Sequence, residues 1–423
     1  MRKAYYLLLL LPALAQAQDK SSGFGVTFTG FAKSDFFYDS RQVIYPTSIR
    51  EGEFLLFPSN VSRDANGKDV NGTGSFNFLS VQSRVGAALK GPDAFGAKTS
   101  GLIEADFFGN ENASLADVNG LRLRHAFVKL QWTKTEIVAG QFWNPMFTPE
   151  TAPGVTSFNS GAPFQPFARN PQMRLTQNLT TYLKVIGCLY SQRDFQSYGP
   201  DATGASALSP SYLRNSGKPD ANLQLQLNPD STEHQFNVGV DYKSLLPQLS
   251  TTANGKTYQS KSKLYSYTGF ASLKLKFKPL TVKLYGIYAQ NAADLMMIGG
   301  YVVKQTDAAT GNNTFTNINT VAGWIDLQTN GKKFKAGLFA GYTKNLGAGT
   351  EVTSTFYSRG SNIDYVYRIS PRIMFFSGNL SFVFETEYTD AAYGTANGDK
   401  KGGVTNSSKV ANVRPIASIS YKF

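Results

Sequence analysis

Asn222-Leu223-Gln224-Leu225-Gln226-Leu227 sets a leucine at every second position and an amide side chain at every other. Side chains of an extended chain point alternately to opposite faces, so this stretch has one wholly apolar face and one wholly polar face. Beyond the turn signal Asn228-Pro229-Asp230 the rhythm resumes, with Phe236, Val238, Val240 and Tyr242 opposing Asn237, Gly239, Asp241 and Lys243. It recurs through Tyr265, Tyr267, Ala271, Leu273 and Leu275, through Phe334, Leu338 and Tyr342, and through Leu380, Phe382, Phe384 and Tyr388.

Sixteen segments between residues 24 and 423 read as strands in this way. Short turns at 91–96, 133–134, 179, 229–233, 278–279, 330–331 and 377–379 alternate with long polar loops. The loops fall at 39–74, 109–120, 144–170, 193–219, 244–260, 292–317, 346–360 and 392–408. A soluble sandwich has no reason to sort its connectors so strictly. An even number of strands with short turns at one end and long loops at the other is the signature of a bacterial outer-membrane barrel. The expectation is an all-β, antiparallel, up-and-down transmembrane barrel of 16 strands over residues 18–423, facing the lipid bilayer of a Gram-negative outer membrane.

Composition narrows the alternatives. The 423 residues hold 22 Tyr, 31 Phe and 39 Gly, and only 17% are charged. So many aromatics exclude a disordered chain, and the single Cys188 excludes a disulfide scaffold. A mean hydropathy of -0.25 excludes a polytopic helical membrane protein. Phe36, Tyr38, Trp132, Tyr242, Phe277, Tyr365, Tyr367 and Tyr421 close the apolar runs at their margins, where interfacial girdles are expected. Arg2 and Lys3, the apolar run Ala4 to Leu14 and Ala15-Gln16-Ala17 predict a signal peptide over 1–17, cut after Ala17. The last apolar face ends on Phe423 and resembles the C-terminal signal read by the barrel-insertion machinery.

The formal charge is +13, and on the polar parity basic residues outnumber acidic ones. That parity predicts Arg84, Arg174, Lys184, Arg368, Arg372 and Arg414 as pore-lining cations, opposed by fewer acids, among them Glu104 and Asp106. Rings of Arg and Lys favour anions in a channel. Arg122 and Arg124 share parity with the apolar Ala126 and Val128, and a β-bulge near His125 would turn both inward. Loop 144–170 carries Pro145, Pro149, Pro153, Pro163 and Pro166 with Phe147, Phe158, Phe164 and Phe167, and only Glu150 and Arg169 as charges. Stiff and aromatic, it is expected to fold inward as a third-loop constriction with Glu150 and Arg169 at its narrowest point. His125, His234 and Cys188 give no metal-ligand spacing, so no metal, cofactor or catalytic constellation is predicted, and no nucleic-acid partner.

Gly30-Phe31-Ala32-Lys33-Ser34-Asp35-Phe36-Phe37-Tyr38-Asp39, Leu121-Arg122-Leu123-Arg124-His125-Ala126-Phe127, Val138-Ala139-Gly140-Gln141-Phe142-Trp143-Asn144-Pro145-Met146-Phe147 and Asn170-Pro171-Gln172-Met173-Arg174-Leu175-Thr176 resemble the corresponding segments of the DcaP-type porins. The motifs span residues 30 to 176. The resemblance implies a homotrimeric outer-membrane porin, a water-filled diffusion channel for small anionic solutes such as dicarboxylates, with pore arginines at Arg122, Arg124 and Arg174. The residues also leave open a general or phosphate-type anion porin, a barrel hydrolase using His125 as base, and a surface adhesin acting through its loops.

Overall fold

Residues 23–46, 52–109, 120–228, 230–231 and 233–423 are described by the computed structural model. The expected signal peptide lies outside them. Alternating apolar and polar side chains build sixteen antiparallel strands: β1 (Gly25–Asp39), β2 (Ser75–Leu79, resumed at Arg84–Lys90), β3 (Lys98–Gly109), β4 (Gly120–Gln131), β5 (Thr135–Trp143), β6 (Arg169–Asn178), β7 (Leu183–Tyr190) and β8 (Asp220–Leu227). They continue as β9 (His234–Leu245), β10 (Leu264–Lys276), β11 (Leu280–Gln290), β12 (Asn313–Thr329), β13 (Phe334–Gly347), β14 (Ile363–Ser377), β15 (Leu380–Ala396) and β16 (Val404–Lys422). Each strand pairs with its neighbour in sequence, and β16 returns to β1, with Phe31 opposite Lys422 and Phe37 opposite Ile416. Closure leaves no free sheet edge.

The seam requires a glycine. Gly30 and Phe423 exchange backbone hydrogen bonds, both 3.1 Å. A Cβ at Gly30 would stand 2.3 Å from the Arg84 carbonyl oxygen and 2.7 Å from the Phe423 ring. Only a residue without a side chain lets the last strand close here.

Leu223, Leu225 and Leu227 face outward while Asn222 and Gln224 are buried inside, as the alternation requires. Exposed tyrosines, Tyr38, Tyr265, Tyr267, Tyr288 and Tyr342, ring the long-loop end. Phenylalanines, Phe24, Phe28, Phe277, Phe334, Phe375 and Phe382, ring the short-turn end. Several strands outrun their periodicity at the loop end: β12 starts at Asn313 instead of 318 and β15 ends at Ala396 instead of 391. Above the apolar belt both faces are wet, so backbone pairing continues where the hydropathy alternation that marks a strand has stopped. In β4, Glu104 of β3 pairs with His125 but Ala105 pairs with Leu123. Arg124 is therefore the extra residue of a bulge, and Arg124 and His125 are both buried within the wall.

The polar parity does not leave the lumen polar throughout: a dry cluster occupies its middle. Loop 1 (residues 40–74) contributes Phe54 and Leu56, and loop 3 (residues 144–168) contributes Phe147, Phe158, Phe164 and Phe167. Loop 6 (residues 291–312) adds Leu295, Met296, Met297 and Ile298. The wall meets them with Phe270, Tyr285, Trp324 and Phe339, one aromatic from each of β10 to β13.

Candidate functional site

Loop 3 is fastened to the barrel wall around much of its circumference. Tyr285 Oη donates to the Met146 carbonyl at 3.0 Å, Lys283 Nζ to that of Ala152 at 2.6 Å, and Lys33 Nζ to that of Thr156 at 2.8 Å. Wall carboxylates accept from the loop in turn: Asp326 from the Gly154 N–H at 2.9 Å, Glu385 from the Thr156 N–H at 2.7 Å, and Glu387 from Asn159 at 2.9 Å. Trp324 Nε1 donates to Gln165 at 2.9 Å, and the Phe164 ring lies on Gly341, where a Cβ would stand 2.5 Å from it. Burial of Phe158, Phe164 and Phe167 contributes roughly 1.5–3 kcal/mol each, more than an exposed ion pair supplies. Apolar packing thus holds the loop in, and the polar clamps set its register.

Three predicted pore arginines belong to this clamp. Arg368 donates to the carbonyls of Ala162 (3.0 Å), Leu55 (3.0 Å) and Leu56 (3.1 Å), with Glu387 at 3.6 Å. Arg372 grips Asp326 through two bonds of 2.7 and 3.0 Å, and Arg414 grips Asp39 at 2.8 and 2.6 Å while reaching the Gly52 carbonyl at 2.7 Å. All three are buried: Arg368 and Arg414 bind loop carbonyls and Arg372 binds the wall carboxylate that holds Gly154, so none lines an open aqueous path. The correction has a plain cause: the loops they hold occupy the space that parity assigned to water.

Opposite the aromatic wall stands a cluster of guanidinium groups. Cross-strand register sets Phe31, Arg84, Asp106 and Arg122 in one row over β1 to β4. Arg122 binds Asp106 through two bonds of 3.0 and 2.7 Å. From its bulge, Arg124 reaches Glu104 at 2.7 Å and Asp106 at 3.0 Å. Arg169 joins from β6; its guanidinium and that of Arg124 lie 5.5 and 5.6 Å from the Trp143 ring centre. Four cations, Arg84, Arg122, Arg124 and Arg169, therefore meet three carboxylates, Glu104, Asp106 and the Asp194 that binds Arg169 at 2.6 Å. Among the described residues, buried Arg84 Nε, Arg124 Nη2 and both Arg169 Nη atoms have no acceptor. Such donors gain most from an incoming carboxylate, because leaving them unmet costs their full desolvation.

Arg169 corrects a second expectation. It lies at the root of loop 3, fully buried, and not at an open narrowing. Glu150 is exposed and lines a cavity of about 220 Å³ beneath the loop, toward the short turns. Arg174 lines the same cavity and donates to Gln172 at 3.1 Å and to the Trp143 carbonyl at 3.0 Å, with no described carboxylate within ion-pair distance. Lys184 is there too, paired at 2.8 Å with Asp230 of a short turn. The aromatic wall escaped sequence reasoning although it left a signal: Phe270, Tyr285, Trp324 and Phe339 interrupt the polar parity of four consecutive strands. Aromatics on a supposedly wet face mark a place where something docks.

Glu53 of loop 1 tests how that loop is held. Burial, reinforced by the Asp35 carboxylate, pushes its carboxyl up to about 8. The docked loop therefore binds a proton that the free loop, with a carboxyl near 4.5, has lost. Docking is strongest at low pH and weakens as pH rises through that interval. Limited proteolysis of loop 1 is expected to accelerate between about pH 5 and pH 8. Glu53→Gln should stay slow throughout, and an unchanged pH profile in that variant would remove Glu53 as the cause.

No family model matches the chain, and no curated protein does. Among solved structures, the outer membrane channel DcaP of Acinetobacter baumannii is similar over 95% of this chain and 98% of that one, with a TM-score of 0.68 and 15% identity. OmpT (in vitro folded), an outer membrane protein of Vibrio cholerae, is similar over 95% and 98% of the two chains, with a TM-score of 0.53 and 11% identity. An anion-selective porin from Comamonas acidovorans is similar over 95% and 100%, at 0.51 and 10%. At such identities the likeness shows the fold. The chain is a closed 16-strand barrel of the architecture found in outer-membrane porins.

Proposed function

We propose that this protein is an outer-membrane porin, a diffusion channel that favours small organic anions. The observation that carries the reading is the inward cluster of Arg84, Arg122, Arg124 and Arg169, where cations outnumber carboxylates and four buried donor nitrogens lack acceptors among the described residues. Arg124 and Arg169 are buried, so the excess of cations acts through its field, which in a low-dielectric surround concentrates counter-ions and sets selectivity. Arg174 extends the field toward the short turns, which in this orientation face the periplasm. Membership of the DcaP-type porins, with dicarboxylates among the permeant solutes and a trimeric assembly, fits the motifs of residues 30 to 176 and the likeness to DcaP. Export by the 1–17 signal peptide and insertion read through Phe423 complete the proposal.

The test is the reversal potential in a planar bilayer under a KCl gradient. Wild type is expected to be anion-selective. Arg84→Gln and Arg174→Gln remove cations that have no described carboxylate partner, so the barrel should fold and the potential should move toward the cation limit. Cation selectivity in the wild type would overturn the reading.

A further inference from the structure

At the long-loop end a second cavity, of about 600 Å³, opens between loops 1, 4 (residues 191–219), 6 and 7 (residues 348–362). It shares no lining residue with the cavity beneath loop 3. Its volume suits a small organic molecule. Tyr45, Phe57, Leu208, Met296 and Ile363 give it a largely apolar lining, and the floor formed by Phe57, Phe195 and Met296 is the top of the dry cluster.

The charges in that lining do not cancel. Asp194 is taken up by Arg169 at 2.6 Å. Among the described residues Arg359 is the one cation of the lining, and no described carboxylate lies within 4 Å of it. Its Nε and Nη2 donate only to the Ala293 carbonyl, at 3.4 and 3.3 Å, and its guanidinium stands 5.6 Å from the Tyr198 ring centre. Nη1 makes no hydrogen bond within the described residues. Beside it the buried Ser358 hydroxyl lacks a partner among the described residues. A stacked, poorly hydrated cation with a free donor, set in an aromatic surround, is a receptor for one anionic head on an apolar body.

We propose that this cavity binds amphipathic monocarboxylates, molecules with an aromatic or branched apolar body and a single carboxylate, the head on Arg359 and the body against Leu208, Tyr45 and Phe57. A second carboxylate would be desolvated against the apolar lining with no further cation among the described residues to receive it, which disfavours dicarboxylates here. The position of the cavity on a permeation route rests on the porin reading; binding does not.

Calorimetry on the detergent-purified protein tests it with 3-phenylpropionate, its uncharged amide and succinate. The acid is expected to bind at least roughly tenfold more tightly than either comparator, the value of a charge-assisted hydrogen bond. Arg359→Met should abolish the preference for acid over amide. Leu208→Asp, at an exposed loop position away from the barrel, should abolish binding while leaving the fold intact. Equal binding of the amide, or tighter binding of succinate, overturns the proposal. In bilayers, 3-phenylpropionate should block current from the long-loop side at lower concentration than from the other. Heat of binding in a protein without conductance would sink the porin reading and leave the cavity standing. Anion-selective conductance without heat would do the reverse.

Discussion

Excision of residues 148–166, with the ends rejoined through a few glycines, is expected to raise single-channel conductance severalfold. A 16-strand barrel is wide enough to enclose an aqueous channel once nothing fills it. What fills it here is the dry cluster, to which the excised stretch supplies Phe158 and Phe164 directly. Removal of those rings also strips the cover from Trp324 and Phe339, whose faces then meet water. Barrel closure through β1 and β16 involves none of the deleted residues, so the variant should still insert and resist unfolding. Unchanged conductance in an inserted variant would place the limiting barrier elsewhere, with loop 1 and loop 6 the remaining occupants.

The second large effect is expected from Arg368→Met, which keeps much of the side-chain length and deletes the charge. Arg368 ties two loops to the wall at once, through the carbonyls of Ala162 in loop 3 and of Leu55 and Leu56 in loop 1. The substitution leaves Glu387 buried without its cation. Breaking a buried pair from one side costs about 3–5 kcal/mol. The midpoint of urea unfolding, followed by the loss of heat-modifiable migration, should fall accordingly, and currents should become noisier as both loops loosen. Arg368→Lys should recover little, because an ammonium cannot reach four acceptors in the plane that a guanidinium spans. Arg214→Met, on a helix exposed in loop 4, provides the control. Stability equal to wild type in Arg368→Met would show that apolar packing alone retains the loops.

The arginines that sequence placed in one class thus separate into two by their partners. Arg84 and Arg174 have no described carboxylate at ion-pair distance and are the positions where neutralisation should alter selectivity. Arg368, Arg372 and Arg414 are committed to loops and carboxylates, and their loss should be felt first as instability. Both classes sit on the same parity of their strands. Parity reports the face of the sheet, and nothing in it reports what stands on that face.

Much was legible because it is local. Alternation at Leu223, Leu225 and Leu227 fixes which face meets lipid, and the contrast between short turns and long loops orders sixteen strands around a barrel. Even the bulge at Arg124 was readable, since an unbroken strand would have driven two guanidinium groups into lipid. The interior was not legible in this way. Loop 3 meets β10 to β15 across the barrel, more than a hundred residues away, and contacts of that separation leave no periodic trace. The residues that receive it, Phe270, Tyr285, Trp324 and Phe339, differ from lipid-facing aromatics only by parity. Sequence alone determined the barrel, its orientation of faces and the excess of inward positive charge. Tertiary structure decided which of those charges remain unpaired, because pairing depends on distances between strands and loops that only closure of the barrel brings together.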